Sequence, residues 1–358
     1  MKLQEETDNN MNRNNKYKAA IVGCGRIASE FDENPLMKKS YGIFSHAGGY
    51  ADNPNIDLIA AADISEEKLK RCGKLWNIPK LYYDYIELLK NEELDILSIC
   101  TWNTTHLEVF ENAVKNGVKA VFCEKPISNS LKNADRMVKI AKDHGIVLQV
   151  NHYRRWDKLY QDIGDFIKEG NLGDIQQVSC YYSAGIANTC SHLFDVLRFF
   201  LGEVNSVCSW YKSGFNNDDP NIDGYMKFQN GITATLQSFN VEHYTLFEFD
   251  IYGSKSRLRI QDNGFKLSYW EVKESKKHPG YRELFETSPP LIVTKKMIMR
   301  NAIQNIVDCL SLKSSPACTG EDGIKALELI CAFHLSARKS NKTVNLPLRK
   351  RNLTIKSK

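Results

Sequence analysis

The chain between Lys18 and Val150 alternates short apolar runs with amphipathic segments, and this rhythm constrains the fold more than any other feature. An unbroken apolar run is typical of a strand buried on both faces, and parallel sheets covered by helices contain such strands. Amphipathic helical segments between the strands indicate βαβ units. The sequence therefore predicts a doubly wound parallel sheet over residues 16–150. The predicted strands include KAAIV (18–22), LIAAA (58–62), DILSIC (95–100), VKAVFC (118–123) and IVLQV (146–150).

After Asn151 the pattern changes to longer runs of alternating apolar and polar residues, separated by Gly and Asn turns. Such alternation is typical of strands with one face in a core, and QNGI at 229–232 predicts a tight hairpin because Asn-Gly readily adopts positive φ angles. Further helices are expected near 157–169, 296–311 and 321–338. The overall prediction is an α/β protein in which residues 151–347 form a second α/β domain with a large, mainly antiparallel open sheet.

Composition and the two chain ends narrow the function classes. The formal net charge is only +5 over 358 residues, and the clustered basic residues form a terminal run, LRKRNLTIKSK (348–358), which we interpret as a solvated basic tail. The polar residues 1–15 predict a disordered tail, and no segment approaches the roughly 20 apolar residues that span a bilayer. Ten Cys without CxxC pairs or zinc spacing indicate free thiols in a reducing cytosol. We therefore expect a cytoplasmic protein that binds neither nucleic acid nor membranes and holds no metal.

GCGRIA (23–28) follows the first predicted strand and matches the G-x-G-x-x-G/A fingerprint of Rossmann dinucleotide-binding folds. Gly is needed where the chain turns tightly and where the backbone approaches a pyrophosphate at a helix N-terminus. The motif predicts a turn that opens a helix and binds a dinucleotide, and a simple turn with a helix cap is the alternative. Its candidate cofactor-binding residues are Gly23, Gly25, Arg26 and Ile27.

Asp63 ends the second predicted strand, where a carboxylate can accept hydrogen bonds from the adenosine ribose and repel a 2′-phosphate. No Arg stands at position 64 or 65, so NAD is favoured as the cofactor and NADP is the alternative. Asp63 lies 35 positions beyond Ala28, where about 20 is usual. An insertion must therefore occupy about residues 29–50.

TWNTTH (101–106) comes at the carboxyl end of the fourth predicted strand, where open α/β sheets place their ligands. Thr101, Asn103 and His106 are therefore candidates to line the nicotinamide half of the cofactor site. A cap for the following helix, made by one of the Thr residues, is the simpler explanation, and both roles are compatible.

Glu124, Lys125 and Pro126 occupy the same sheet edge one strand further on. A Lys that leaves an apolar strand for a partly dry cleft can hold a substrate oxygen or exchange a proton. A surface Lys at a turn is the alternative on this motif alone. We expect Glu124 to lie beside the nicotinamide ribose.

Two segments of the second half supply further candidates. His192 and Asp195 belong to a segment with a buried helical face, and His192 is either a general base or a core histidine. NHYRRWD (151–157) falls at the domain junction, where a cleft is expected. Because adjacent side chains of an extended chain point apart, at most one of the two Arg residues should reach an anionic group. The candidate substrate-binding residues are Tyr153, Arg154, Arg155 and Asp195.

Together these motifs resemble the Gfo/Idh/MocA oxidoreductase family, which includes glucose-fructose oxidoreductase and inositol dehydrogenase. The similarity covers about Lys18 to Pro347, and Glu-Lys-Pro in its strand-helix setting is its most specific part. The resemblance implies a Rossmann domain and an α/β domain whose open sheet often mediates homodimers or homotetramers. It also implies that Lys125 contacts the reacting substrate oxygen and that His192 transfers the proton.

The sequence departs from the family pattern in three places. Asn188 stands where the family usually has an Asp four residues before the His, and Asn can orient an imidazole but cannot stabilise its charge. Asn188 therefore weakens the case for His192 as the base in alcohol oxidation. It favours ketone reduction, or proton transfer by Lys125. Trp102 replaces a common Pro. The insertion after Ala28 could form a flap over the cleft.

The leading hypothesis is an NAD(P)-dependent oxidoreductase that moves a hydride between nicotinamide and a hydroxyl or keto carbon of a sugar, nucleotide sugar or cyclitol. The catalytic residues would be Lys125, His192 and Asn188. An NAD-dependent glycosidase and a non-catalytic NAD-binding regulator are the two alternatives within the same family.

Overall fold

The computed structural model describes residues 16–212 and 218–355. The tail predicted for residues 1–15 lies outside the described residues. Two sheets organise the described chain, one parallel and one mainly antiparallel. The α/β prediction with these two kinds of sheet is confirmed.

The first sheet has six strands in the order β3-β2-β1-β4-β5-β6, and every neighbouring pair is parallel. The strand order reverses between β1 and β4, and ligands of open α/β sheets bind at such a switch point, beyond the carboxyl ends of the strands. The GCGRIA turn follows β1 at this point. The strands are β1 (Tyr17–Val22), β2 (Ile56–Ala62), β3 (Lys80–Tyr82), β4 (Ile96–Ile99), β5 (Ala120–Cys123) and β6 (Val147–Val150).

Six helices accompany these strands. Their N-termini carry the residues that local capping requires: the Ser65 hydroxyl accepts from the backbone N–H of Lys68, and the Ser130 hydroxyl accepts from that of Asn133. The helices are α1 (Pro35–Tyr41), α2 (His46–Asp52), α3 (Glu66–Trp76), α4 (Tyr85–Asn91), α5 (His106–Lys115) and α6 (Leu131–His144).

The helix expected directly after GCGRIA is interrupted, which corrects the sequence prediction. Residues 26–29 form only a turn, and a 3₁₀ segment (Glu30–Glu33) and α1 follow it. The backbone N–H groups of His46 and Ala47 then donate to the carbonyls of Ile27 (3.0 Å) and Ala28 (2.9 Å). The insertion therefore leaves the first helical turn and returns to it, so that α2 continues the helix after the excursion.

The second sheet has nine strands in the order β14-β13-β12-β11-β7-β10-β9-β8-β15. Only β7 and β10 pair in parallel; the other neighbours are antiparallel. The predicted hairpin at 229–232 joins β9 to β10, with Gly231 at φ +88°. The strands are β7 (Ile175–Ser183), β8 (Val204–Tyr211), β9 (Ile222–Phe228), β10 (Thr233–Phe239), β11 (Phe247–Gly253), β12 (Ser256–Gln261), β13 (Lys266–Glu274), β14 (Arg282–Thr287) and β15 (Val344–Asn345).

Four more helices belong to the second half of the chain, and two of them pack against the first sheet. These are α7 (Lys158–Lys168), α8 (Cys190–Leu201), α9 (Ile298–Leu310) and α10 (Gly320–Arg338). Gln149 in β6 donates to the Ala302 carbonyl in α9 at 3.1 Å, and Gly320 at the start of α10 leaves room for Val138 and Leu148. One hydrophobic core therefore runs through both sheets, and the C-terminal helices belong structurally to both halves.

The C-terminal run is partly packed, so its interpretation as a solvated tail is wrong for Leu348, Arg351 and Ile355, whereas Arg349 and Lys350 are exposed. Leu348 and Ile355 are buried. The Arg351 guanidinium pairs with Glu328 (2.6 Å from Nη1) and with Asp135 (2.8 Å from Nε). A basic residue in this run thus neutralises carboxylates on α6 and α10 instead of facing water.

All ten Cys are free thiols, and most are buried. No helix within residues 16–212 and 218–355 has the length and apolar character needed to cross a membrane.

Candidate active site

A cavity of about 1120 Å³ opens at the carboxyl edge of the first sheet. Its walls come from three parts of the chain: the turns after strands β1 to β5; the insertion that contains α1; and the second half, from Asn151 to His192 and at Thr245, Leu246 and Asn263. The cavity is large enough for a dinucleotide and a small substrate together.

The Gly-rich turn forms one end of this cavity with the geometry that a pyrophosphate needs. Gly23 has φ +92°, and a Cβ there would lie 2.7 Å from the Cys100 carbonyl, so a side chain is excluded. A Cβ on Gly25 would meet nothing within 4 Å, because the turn faces open space in the cavity. Arg26 and Ile27 also line it. The turn therefore leaves a cradle for phosphate groups against exposed backbone N–H groups.

Asp63 stands at the cavity wall beyond β2 and holds the turn in place. Its Oδ2 accepts from the Cys24 backbone N–H at 2.6 Å, and its Oδ1 accepts from that of Ser65 at 2.7 Å. A carboxylate has about four acceptor positions, so the position remains suitable for ribose hydroxyls. The negative charge disfavours a 2′-phosphate, as the sequence prediction requires.

The TWNTTH segment divides between the cavity and the core. Thr101 and Asn103 line the cavity, and the buried Nδ2 of Asn103 has no partner among the described residues. His106 is buried behind them, with its ring nitrogens against the carbonyls of Thr101 (3.0 Å) and Ile127 (3.2 Å). The prediction that His106 contacts the cofactor is therefore wrong. Burial lowers its pKa, and the ring ties two turns together.

Glu124 lies at the cavity wall, but most of its acceptor capacity is engaged by the protein. Its Oε1 accepts from Asn151 Nδ2 at 2.6 Å and lies 3.0 Å from His46 Nε2. The other ring nitrogen of His46 bonds the Ser98 hydroxyl at 2.8 Å. Burial alone raises the pKa of Glu124, but the His46 and Asn151 hydrogen bonds lower it overall. Glu124 is thus a fixed negative charge beside Lys125.

Lys125 reaches across the cavity to the second half of the chain. Its Nζ donates to Asn188 Oδ1 at 2.8 Å and to the Asn188 backbone carbonyl at 2.9 Å. Burial lowers its pKa, and the carboxylates of Glu124 and Asp219 partly oppose this effect. The structure therefore pairs Asn188 with Lys125, and the expectation that Asn188 orients the imidazole of His192 is wrong.

Asp219 lies beneath the same segment and holds its backbone in place. Its two oxygens accept from the backbone N–H groups of Ala187 (2.7 Å) and Asn188 (2.8 Å). Gly185, at φ +87°, passes so close that a Cβ would lie 2.3 Å from Asp219 Oδ2. Burial raises the pKa of Asp219 to about 6, against the opposing effect of these N–H groups and of Lys125. Its protonation therefore changes near neutral pH.

His192 begins α8 with its ring at the cavity wall. The ring packs against Tyr153, with centroids 4.6 Å apart, and its buried Nδ1 has no partner within the described residues. Burial, together with the charges of Lys125 and Arg154, holds the pKa of His192 well below its ordinary value. The imidazole is therefore neutral at physiological pH and can accept a hydrogen bond or a proton.

The two adjacent Arg residues separate as the sequence analysis expects. Arg155 forms a bidentate ion pair with the fully buried Asp195, both bonds being 2.8 Å, and lies 3.2 Å from Asp322. Neither Arg155 nor Asp195 lines the cavity, so their predicted substrate contacts are wrong. Tyr153 and Arg154 do line it.

The insertion forms the wall opposite these residues. Asp32 fixes its return, since the carboxylate accepts from the Phe44 backbone N–H at 2.7 Å and from the Ser45 hydroxyl at 2.6 Å. The Phe44 ring then contacts Tyr153 edge-on, with centroids 5.2 Å apart. The other insertion residues at the cavity are Glu30, Phe31, Met37 and Tyr41. The insertion is positioned as the flap that the sequence analysis describes.

The fold and the cavity define a dinucleotide-binding protein whose second half completes the ligand site. Two models of one oxidoreductase family match it, "NAD-binding Rossmann fold" over residues 17–152 and "C-terminal alpha/beta domain" over residues 182–346. The chain belongs to the Gfo/Idh/MocA oxidoreductase family, and NAD is its cofactor.

Related proteins cover nearly the whole chain. A D-apiose dehydrogenase of Paraburkholderia graminis is 26% identical over 364 residues, which is 92% of this chain and 90% of the relative. A myo-inositol 2-dehydrogenase of Thermotoga maritima is 25% identical and covers 86% of this chain and 92% of its own. The WlbA dehydrogenase from Bordetella pertussis, solved with NADH and UDP-GlcNAcA, shares the fold at a TM-score of 0.73 with 18% identity, covering 93% of this chain and 99% of that one.

The residues at the site fit NAD. The Gly25 cradle, the carboxylate of Asp63 and the unpartnered amide of Asn103 all line the cavity. They suit the pyrophosphate, the adenosine ribose and the nicotinamide half, respectively. Sequence reasoning missed His46 and Asp219. His46 sits in the insertion and Asp219 in a polar loop, so no periodic signal marks either residue.

Proposed function

We propose that this protein transfers a hydride between NAD and a hydroxyl or keto carbon of a sugar, nucleotide sugar or cyclitol, with Lys125 and His192 at the reacting oxygen. The observation that carries the proposal is the shared cavity: Lys125 and His192 line the same space as the Gly23–Gly25 turn. Relatives named D-apiose dehydrogenase and myo-inositol 2-dehydrogenase support the substrate class. NAD, when bound, supplies or accepts the hydride.

Lys125 holds the substrate oxygen and stabilises the negative charge that develops on it. The Asn188 amide and carbonyl fix the ammonium in place, so little reorganisation is needed when the charge forms. Burial lowers the pKa of Lys125 toward the working range, and a lowered pKa makes the ammonium a better proton donor. This favours Lys125 as the acid in ketone reduction and as the base, once neutral, in alcohol oxidation.

His192 has the complementary role of a neutral acceptor. An imidazole with a strongly lowered pKa is a weak base, and no carboxylate pairs with it among the described residues. It therefore orients the substrate by accepting a hydrogen bond from a substrate hydroxyl. Because its pKa is low, a proton that it accepts from the substrate is quickly released. Within the predicted catalytic set, Lys125 is thus the proton donor, Asn188 holds Lys125 in place, and His192 is the hydrogen-bond acceptor.

The test is NADH absorbance with purified protein and a panel of sugars, keto-sugars, inositols and nucleotide sugars. We expect turnover with at least one of them, and Lys125→Met should lower kcat by about 10²–10⁴-fold because a positioned acid–base group contributes that much. NAD affinity of the variant, measured by calorimetry, should stay unchanged. Full turnover by Lys125→Met would contradict the role given to this residue.

The same assay separates the two alternatives. Cleavage of nitrophenyl glycosides without net NADH formation would replace the proposal by an NAD-dependent glycosidase. Tight NAD binding with no turnover of any compound, and a protein that copurifies, would replace it by a regulator. The Lys125–Asn188 pair favours catalysis, since a sensor does not need a buried proton-exchanging group.

The proposal also includes a cytoplasmic location and assembly as a homodimer or homotetramer. It includes no nucleic-acid partner. The large open face of the nine-stranded sheet and exposed aromatics such as Trp210 and Tyr225 support self-association. Light scattering of the purified protein measures the subunit number, and a monomer at micromolar concentration would contradict it.

A further inference from the structure

Within the part of the chain that the structure describes, Arg154 is a buried cation without an anionic partner. Only 5% of the residue is exposed, and it lines the cavity. Its Nε and Nη1 atoms are buried and find no hydrogen-bond partner in residues 16–212 and 218–355, where it also forms no ion pair. A buried guanidinium is ordinarily paired with a carboxylate or phosphate, because removing its water without replacement is unfavourable.

Aromatic rings hold this guanidinium in a fixed plane. Its Cζ lies 3.4 Å from the ring centroid of Phe247, 4.5 Å from that of Tyr153 and 5.8 Å from that of Tyr160. The rings pack closely around the guanidinium, but Arg154 still lines the cavity, where a planar group can reach it. The cation–π contacts compensate part of the desolvation but supply no acceptor to Nε or Nη1.

The carboxylates of the neighbouring segments are already engaged. Asp157 pairs with Lys296 at 2.6 Å, and Asp195 pairs with Arg155 at 2.8 Å. Glu124 and Asp219 accept from the amide, imidazole and backbone N–H groups described above. None of these side chains supplies the missing anion for Arg154, which leaves the position open to an anionic ligand in the cavity.

The charge around the substrate end of the cavity supports the same conclusion. Lys125 and Arg154 are both cationic, and each lowers the pKa of His192. Burial, and to a lesser degree Arg154, also lowers the pKa of Lys125. An anion bound at Arg154 would relieve this repulsion while Lys125 remains free to hold the reacting oxygen.

We infer that the substrate is a sugar acid or polyol acid whose carboxylate binds the guanidinium of Arg154 at the substrate end of the cavity. This inference rests on the proposed function and names its substrate class. A carboxylate matches the fork of two N–H donors in one plane, and its single charge balances the single unpaired guanidinium. A phosphate dianion would keep one charge unbalanced at this position, because the carboxylate of Glu124 already balances the charge of Lys125.

The test is calorimetric binding to the NADH-loaded protein with matched acid and neutral pairs: D-glucuronate and D-glucose, D-galacturonate and D-galactose, D-gluconate and D-sorbitol. We expect at least one acid to bind about tenfold or more tightly than its neutral partner, with affinity that falls as salt is added. Arg154→Met should abolish the preference, Arg154→Lys should retain part of it, and the exposed Arg282→Met control should leave it intact.

Equal binding of every acid and its neutral partner overturns the inference, and this comparison requires only the wild-type protein. Tighter binding of D-glucose 6-phosphate than of every acid also overturns it, because the anion would then be a phosphate. Turnover measured in parallel by NADH absorbance separates the two proposals. An acid that binds through Arg154 without turnover supports this inference and contradicts the oxidoreductase, whereas turnover of neutral sugars with no acid preference does the reverse.

Discussion

Asp219→Asn tests whether a buried carboxylate under the Lys125–Asn188 contact titrates near neutral pH. Asp219 is only 9% exposed and accepts two backbone N–H groups. Burial raises its pKa from 3.8 to about 6 in the folded protein. The folded state therefore binds this proton more tightly than the unfolded chain does.

The sign of the stability effect follows from that shift. Because the folded pKa is the higher one, the protonated carboxyl contributes stability that is fully present below pH 3.8 and is lost as the pH rises through about 6. A shift of about two pKa units corresponds to roughly 3 kcal/mol. Asn cannot titrate, so the free energy of unfolding of Asp219→Asn relative to wild type should rise by about 3 kcal/mol between about pH 4 and pH 7.

The substitution also changes the free energy of unfolding by an amount that does not depend on pH. An Asn amide keeps one acceptor oxygen and faces the second backbone N–H with its own NH₂, which costs about 1–3 kcal/mol at every pH. Urea unfolding at a series of pH values measures both quantities, and the exposed Asp143→Asn variant controls for the loss of a charge. A difference between Asp219→Asn and wild type that stays flat from about pH 4 to pH 7 would refute the reasoning.

Four further changes have expected outcomes. Arg155→Met should lower the free energy of unfolding by about 3–5 kcal/mol, measured in urea, because it leaves the charge of Asp195 buried and unpaired. Asp63→Ser should weaken NAD binding and improve NADP binding in calorimetry, since a negative charge no longer faces the 2′ position. Gly25→Val should abolish NAD binding while the circular dichroism spectrum stays native, because the added side chain fills the open cradle. Phe44→Ala should raise KM more than it lowers kcat in NADH-absorbance kinetics, since Phe44 shapes the insertion wall against Tyr153.

Each of these outcomes has a direct contradiction. Wild-type stability of Arg155→Met would mean that the ion pair is not needed to hold α8. Unchanged cofactor preference of Asp63→Ser, or normal NAD affinity of Gly25→Val, would place the dinucleotide elsewhere. A Phe44→Ala variant with unchanged KM would separate the insertion from substrate binding.

The repeating pattern of the first half is local, and for this reason the sequence predicts it well. Apolar runs of strand length report burial on both faces, so the parallel sheet, the GCGRIA turn and the position of Lys125 after β5 follow from order along the chain. The hairpin at 229–232 is equally local, because Asn-Gly adopts the turn by its own backbone preference. Confirmed predictions of this kind depend on neighbours within a few residues.

Sequence patterns do not predict hydrogen bonds and ion pairs between residues that are far apart along the chain. Asn188 lies four residues from His192, yet it bonds Lys125, which is 63 positions away. Arg154 and Arg155 are identical in type, and only the position of Asp195 on α8 decides which of them is neutralised. Periodicity indicates which face of a helix or strand is buried, but it does not indicate which charged residue of another element contacts that face.

The sequence by itself determined the two sheets, the dinucleotide turn and the Lys at the sheet edge, because each is encoded by residues that are adjacent or regularly spaced. Only the tertiary structure decided which polar groups meet. It placed the carboxylate of Asp219 beneath the Lys125 contact, returned the insertion to the helix it leaves, and left Arg154 unpaired in the cavity. Hydrogen bonds and charges act over a few ångströms in space, whatever their separation along the chain.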